Sequence, residues 1–150
     1  MACSLVLIVG ACAGAQAGSQ RKPYAETALQ WSVPNAWTPS GEFIGMSHFT
    51  AAELNNIHQG AGWGPITFVR GDVASTRPDE VSVNPIDDYT WGAAARSVRD
   101  GRCYIVVANF DRTNPKYGQT RYGRLPKGSR CVGSAATPAM ATSEQPLAEG

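Results

Sequence analysis

The segment at residues 100–110 constrains the fold most. Asp100-Gly101 is the strongest short hairpin signal a chain can carry. It is followed by the run Cys103-Tyr104-Ile105-Val106-Val107, which is β-branched and aromatic and reads as a strand. A strand that opens out of a two-residue turn needs a partner just before it. Residues 91–98 supply one, although the alanines there suit a helix equally well. Ile66-Thr67-Phe68-Val69-Arg70 and Val81-Ser82-Val83 are two further strand candidates, and Gly71-Asp72 can turn the chain between them. With 16 Gly and 10 Pro among 150 residues, long helices and coiled coils are excluded.

Helical signals are short and lie upstream. Thr50 and Glu53 have capping-box spacing, and Phe49 can staple onto Leu54. A helix is expected from about residue 51 to 58, ending near Gly60. Residues 24–31 can form about two turns before Pro34 and Pro39 interrupt. Together these readings give an α+β fold, with short N-terminal helical segments packed on a three- to four-stranded antiparallel sheet. The expected division is a signal-like or degenerate anchor at 1–18, a linker with partial helix at 19–48, a globular head at 49–134 and a disordered tail at 135–150.

Residues 1–20 hold no charged side chain, and Leu5 to Val9 form an apolar centre. The stretch is shorter than the roughly 20 residues that cross a bilayer. Ala15-Gln16-Ala17 fits the small-x-small pattern of signal cleavage, although no Lys or Arg precedes the apolar run. The expectation is an exported protein touching the membrane only through this segment. Val9-Gly10-Ala11-Cys12 also loosely resembles a lipoprotein box, which leaves lipidation of Cys12 as an alternative. Of the four cysteines, Cys3 and Cys12 fall in the leader. Cys103 and Cys131 remain for the folded part and imply one disulfide closing a C-terminal loop. Two buried thiols are the alternative.

Signals for catalysis are sparse. His48 and His58 stand ten residues apart, wider than the usual metal-binding spacings. Cys103 and Cys131 lack CxxC spacing. Asp87-Asp88 reads as a turn. Gly60-Ala61-Gly62-Trp63-Gly64 does not join a strand to a helix as a nucleotide loop would. No cofactor, metal or enzymatic activity is expected.

Charge is distributed unevenly along a chain of net charge +1. Residues 42–90 carry seven acids and two bases. Residues 96–130 carry nine bases and two acids. The basic group consists of Arg96 together with the candidate contact residues Arg99, Arg102, Arg112, Lys116, Arg121, Arg124, Lys127 and Arg130. Tyr117 and Tyr122 are interleaved among them. Such a loop can hold phosphates and stack on bases, as for DNA or a cell-wall polymer. It can instead dock on the acidic half of a neighbouring subunit, or simply be solvated.

The order of short pieces resembles the globular head of actinobacterial type IV pilin-like proteins. The pieces are Phe49-Thr50-Ala51-Ala52-Glu53-Leu54, Ile66-Thr67-Phe68-Val69, Ser75 to Val83, Trp91-Gly92-Ala93-Ala94-Ala95-Arg96-Ser97, Gly101-Arg102-Cys103-Tyr104-Ile105, Arg121-Tyr122-Gly123 and Cys131-Val132-Gly133. The likeness covers roughly residues 35–134. The family's Gly-Phe/Met processing site and long apolar anchor do not occur in this sequence. The resemblance implies a pilin-like roll, in which a helix packs on an antiparallel sheet with a disulfide-bounded C-terminal region. It also implies that function is assembly with other pilin-like subunits, or surface display, without a cofactor.

Overall fold

The computed structural model describes residues 25–61, 66–111, 113 and 118–150. The leader at 1–18 with Cys3 and Cys12, the glycines at 62 and 64, and Arg112, Lys116 and Tyr117 lie outside the described residues. Among the described residues the fold is α+β. Helices α1 (Ala25–Ser32) and α2 (Ala51–Ala61) precede strands β1 (Thr67–Arg70), β2 (Glu80–Pro85), β3 (Thr90–Arg96), β4 (Cys103–Asn109) and β5 (Gln119–Arg124), which form one sheet in sequence order. No helix among the described residues is long and apolar enough to cross a membrane.

Local chemistry explains several elements. The Thr50 hydroxyl accepts the Glu53 N–H at the start of α2, as the capping box requires. Phe49 and Leu54 are both buried in the helix-side core. The alanines of β3 resolve as strand, paired residue for residue with β4 from Thr90–Asn109 to Arg96–Cys103. At the turn between them Gly101 sits at φ +67°, a region that glycine enters without steric cost.

Two expectations about the sheet need correction. It has five strands, and β1 runs parallel to β2, with Phe68 opposite Val81. Residues 71–79 are too long for a tight hairpin and instead loop across one face of the sheet. Ser75, fully buried, donates its N–H to the Cys131 carbonyl and its hydroxyl to the Glu80 carbonyl. That detour returns the chain to the end of the sheet where β1 began.

Strands β3 and β4 are buried over almost their whole length, on both faces. On one face Val81, Val83, Trp91, Ala93, Tyr104 and Val106 pack against the helices. The Trp91 indole N–H donates to the Phe49 carbonyl at 3.1 Å. On the other face Ala94, Cys103, Ile105 and Val107 pack against Leu125, Cys131, Ala136 and Ala141.

Residues 135–150, expected as a disordered tail, therefore form part of a third layer. Ala136 and Ala141 are buried, and Leu147 packs against the helix-side core. The Tyr122 N–H donates to the Ser143 carbonyl at 2.8 Å, and the Ser143 N–H returns the bond at 3.0 Å. The packed unit thus extends beyond 49–134, from Ala25 to Glu149. The Glu149 carboxylate accepts the Glu26 N–H in the first turn of α1, and it accepts the buried Ser97 hydroxyl at 2.7 Å.

Both edges of the sheet are covered. Beside β1, the Asn55 side chain of α2 donates to the Phe68 carbonyl at 2.9 Å and accepts the Phe68 N–H at 2.8 Å. An amide side chain here takes the place of a neighbouring strand. Beside β5, the Tyr122–Ser143 pair does the same with backbone.

Candidate functional site

The disulfide is present. Cys103, at the start of β4, is bonded to Cys131, with Cα atoms 5.2 Å apart. Both sulfurs lie under the third layer, where Cys131 is fully buried. The bridge encloses β4 and β5 and fixes the start of the closing segment to the first residue of β4, next to the β3–β4 turn.

Sheet register sorts the basic residues. Arg99 and Arg102 flank the β3–β4 turn. Arg124 ends β5 beside Tyr104, with its guanidinium 5.7 Å from the ring centre. Lys127 and Arg130 lie in the loop that follows, and Arg96 links that loop to the β3–β4 turn by donating to the Ser129 and Gly101 carbonyls. Arg130 donates to the Asp72 carbonyl. Arg99, Arg102, Arg124, Lys127 and Arg130 are all exposed at this one end of the sheet.

Two candidates do not join them. Arg121 lies mid-strand opposite Val107. It binds the Glu144 carboxylate at 3.1 Å and the Gln119 side chain at 2.7 Å, so its charge holds the closing segment to β5. Tyr122 packs against the helix-side core, and burial raises the pKa of its hydroxyl. Its ring is half-buried there, away from the exposed basic cluster.

The basic end contains one carboxyl with an unusual acidity. Burial pushes the Asp100 carboxyl up, but hydrogen bonds from the Tyr104 hydroxyl, the Arg102 N–H, Ser97 and the Gly150 N–H outweigh it and hold the group at about 2. The Tyr104–Asp100 bond is 2.7 Å long. Burial and this bond together raise the Tyr104 pKa. Asp100 is thus a structural anion that shapes the turn.

The acidic half of the sequence is partly neutralised within itself. Asp72 pairs with Arg70, and Asp79 and Glu80 pair with Arg77. Asp87 closes the β2–β3 turn by accepting the Tyr89 and Thr90 N–H groups. Asp88 accepts the Ser47 hydroxyl through its side chain and the Met46 N–H through its carbonyl. Asp87 and Asp88 are exposed at the end of the sheet opposite the β3–β4 turn. His48 is exposed beside Asp88, in the same cleft. His58 is buried in α2, edge-on to Phe68 at 5.5 Å, and burial lowers its pKa.

The same end holds an aromatic cluster that the sequence does not announce. Residues 37–43, expected to be linker, form a small hairpin in which the Thr38 N–H donates to the Glu42 carbonyl. It brings Trp37 and Phe43 together, with ring centres 5.3 Å apart. Asp88 joins this hairpin region to the β2–β3 turn, so Phe43 stacks on Tyr89 at 5.5 Å with planes only 6° apart. A cleft of about 290 Å³ is lined by these three rings with Phe110, Asp111 and Thr113. A second cleft of about 200 Å³ shares Phe43 and Tyr89 and is lined further by Gly45, His48 and Asp88. Trp37 and Phe43 come from one hairpin, but Tyr89 and Phe110 are tens of residues further along the chain, so no local pattern announces the group.

No family model, curated protein or solved structure matches this chain.

Proposed function

We propose that this chain is an exported structural subunit, a pilin-like head that acts by assembly and surface display. The observation that carries the reading is the polarity of the sheet. Arg99, Arg102, Arg124, Lys127 and Arg130 occupy one end, and Asp87 and Asp88 the other. Opposite charges on opposite ends of one body favour head-to-tail contact between copies, the contact that generates filaments when it does not close into a ring. The disulfide supports the reading because such bonds persist in oxidising compartments outside the cytosol.

Sedimentation velocity on the oxidised protein tests this. Association is expected at low ionic strength and not at about 1 M salt, where the screening length falls to about 3 Å. Reversing Arg102→Glu and Lys127→Glu together should abolish it. A monomer at every salt and protein concentration would refute the proposal.

The same basic end supports a second reading, in which the chain holds an anionic polymer such as DNA or wall polymer. Gel retardation should then weaken steeply as salt rises, and the same reversals should remove it.

A further inference from the structure

The acidic end carries two adjoining clefts lined in part by aromatic rings. They form two compartments, about 290 and 200 Å³, on a common wall made by the Phe43–Tyr89 stack. The first is close to the lower bound for small-ligand pockets, about 300 Å³, and the second is smaller, so each can take at most a single sugar ring. The two rings are parallel within 6°, stacked with an offset at 5.5 Å between centres. They are held in place before any ligand arrives. Phe43 is fixed by the hairpin at 37–43, and Tyr89 donates its N–H to Asp87 and accepts the Phe110 N–H at its carbonyl. A wall already ordered costs less entropy on binding.

Chemistry narrows the occupant. The face of an aromatic ring is electron-rich. It attracts the C–H face of a pyranose, whose hydrogens carry partial positive charge. Around the rings stand hydroxyl-seeking groups, the carboxylates of Asp111 and Asp88, the Thr113 hydroxyl and the His48 imidazole. An ionised carboxylate has about four lone-pair sites and can accept from a ligand hydroxyl while bonded to its own neighbour. The Asp88 carboxylate disfavours a phosphorylated or sulfated ligand in the second compartment.

We infer that this paired groove binds a neutral pyranose oligosaccharide, with one sugar ring in each compartment. The site is separate from the basic end, but it includes Asp88, which the head-to-tail contact proposed above would cover, so saccharide binding and assembly compete for this end.

Calorimetric titration of the whole oxidised chain with N-acetylchitotetraose, cellotetraose and mannotetraose tests the inference. It is run at about 1 M salt, where charge-driven association is dissolved, so this proposal and the assembly proposal fail separately. Saturable binding of at least one probe tighter than about 1 mM is expected. Tyr89→Ala should weaken it at least about tenfold, and Tyr89→Phe, which keeps the ring, should retain it. Tyr89 is 47% exposed, and a melting curve for each variant confirms that the fold persists. The inference is overturned if none of the three probes binds, or if a correctly folded Tyr89→Ala binds as tightly as the parent.

Discussion

Ala136 lies directly on Gly92. A β-carbon placed on Gly92 would sit 2.7 Å from the Ala136 carbonyl oxygen, and one on Gly123 would run into the Met140 carbonyl oxygen. The closing segment therefore rests on the sheet backbone to backbone, which only glycine beneath it permits. Gly92→Ala is expected to destabilise the protein by about 1–3 kcal/mol, the usual cost of overpacking. Gly128→Ala has open space around it but a φ of +87°, so it reports backbone strain alone. Urea denaturation of the two variants separates the effects.

The Cys103–Cys131 bridge spans 28 residues. Closing a loop of that size restricts the unfolded chain by roughly 3 kcal/mol. The Cys103→Ser/Cys131→Ser double variant should lose about that much stability. A denaturation midpoint unchanged between oxidised parent and variant would show that the bridge plays no structural part.

Asn55 is the cover for the β1 edge. Asn55→Leu removes both bonds to Phe68 and leaves a backbone donor and acceptor to water or to another chain. The expected loss is about 1–3 kcal/mol, with a rise in aggregation on mild heating seen by light scattering, because an open edge pairs with other edges.

Acid should act on the β3–β4 turn. Asp100 titrates at about 2 in the fold against an ordinary 3.8. A carboxyl with a depressed native pKa stabilises the fold above its unfolded value, and that contribution is lost as pH falls. Stability should therefore decline between about pH 4 and 2 in the parent. The Asp100→Asn variant should be less stable at neutral pH and flatter across that window.

Much of this fold is legible in the sequence. The β-branched run at Ile105-Val106-Val107 gives β4, and Thr50 marks the start of α2; Asp100-Gly101 lies in the β3–β4 connection, which is the six residues Ser97 to Arg102 rather than a two-residue turn. The parallel β1–β2 pair is not legible, because Gly71-Asp72 reads as a hairpin turn and nothing local reports that Ser75 is anchored to Cys131. The closing segment looks core-poor because Gly133, Ala136 and Ala141 are small, yet smallness is what a backbone-on-sheet layer needs. One signal did exist. Tyr104 and Val106 point to one face, and Ile105 and Val107 to the other. A strand apolar on both faces demands a cover on each, and only the C-terminal segment was left to supply the second. The basic residues were legible as a charge run but not as a surface, since register alone separates Arg121 from Arg124. The aromatic groove comes from contacts between Trp37, Phe43, Tyr89 and Phe110 that no window of sequence contains.

The most direct measurement of head-to-tail contact is zero-length carbodiimide cross-linking at low salt, followed by peptide mass spectrometry. Lys127 is the one lysine among the described residues, and it stands at the basic end. Intermolecular Lys127–Asp87 or Lys127–Asp88 links that vanish at high salt are the predicted result. Links confined within a single copy, or none involving Lys127, would contradict the account.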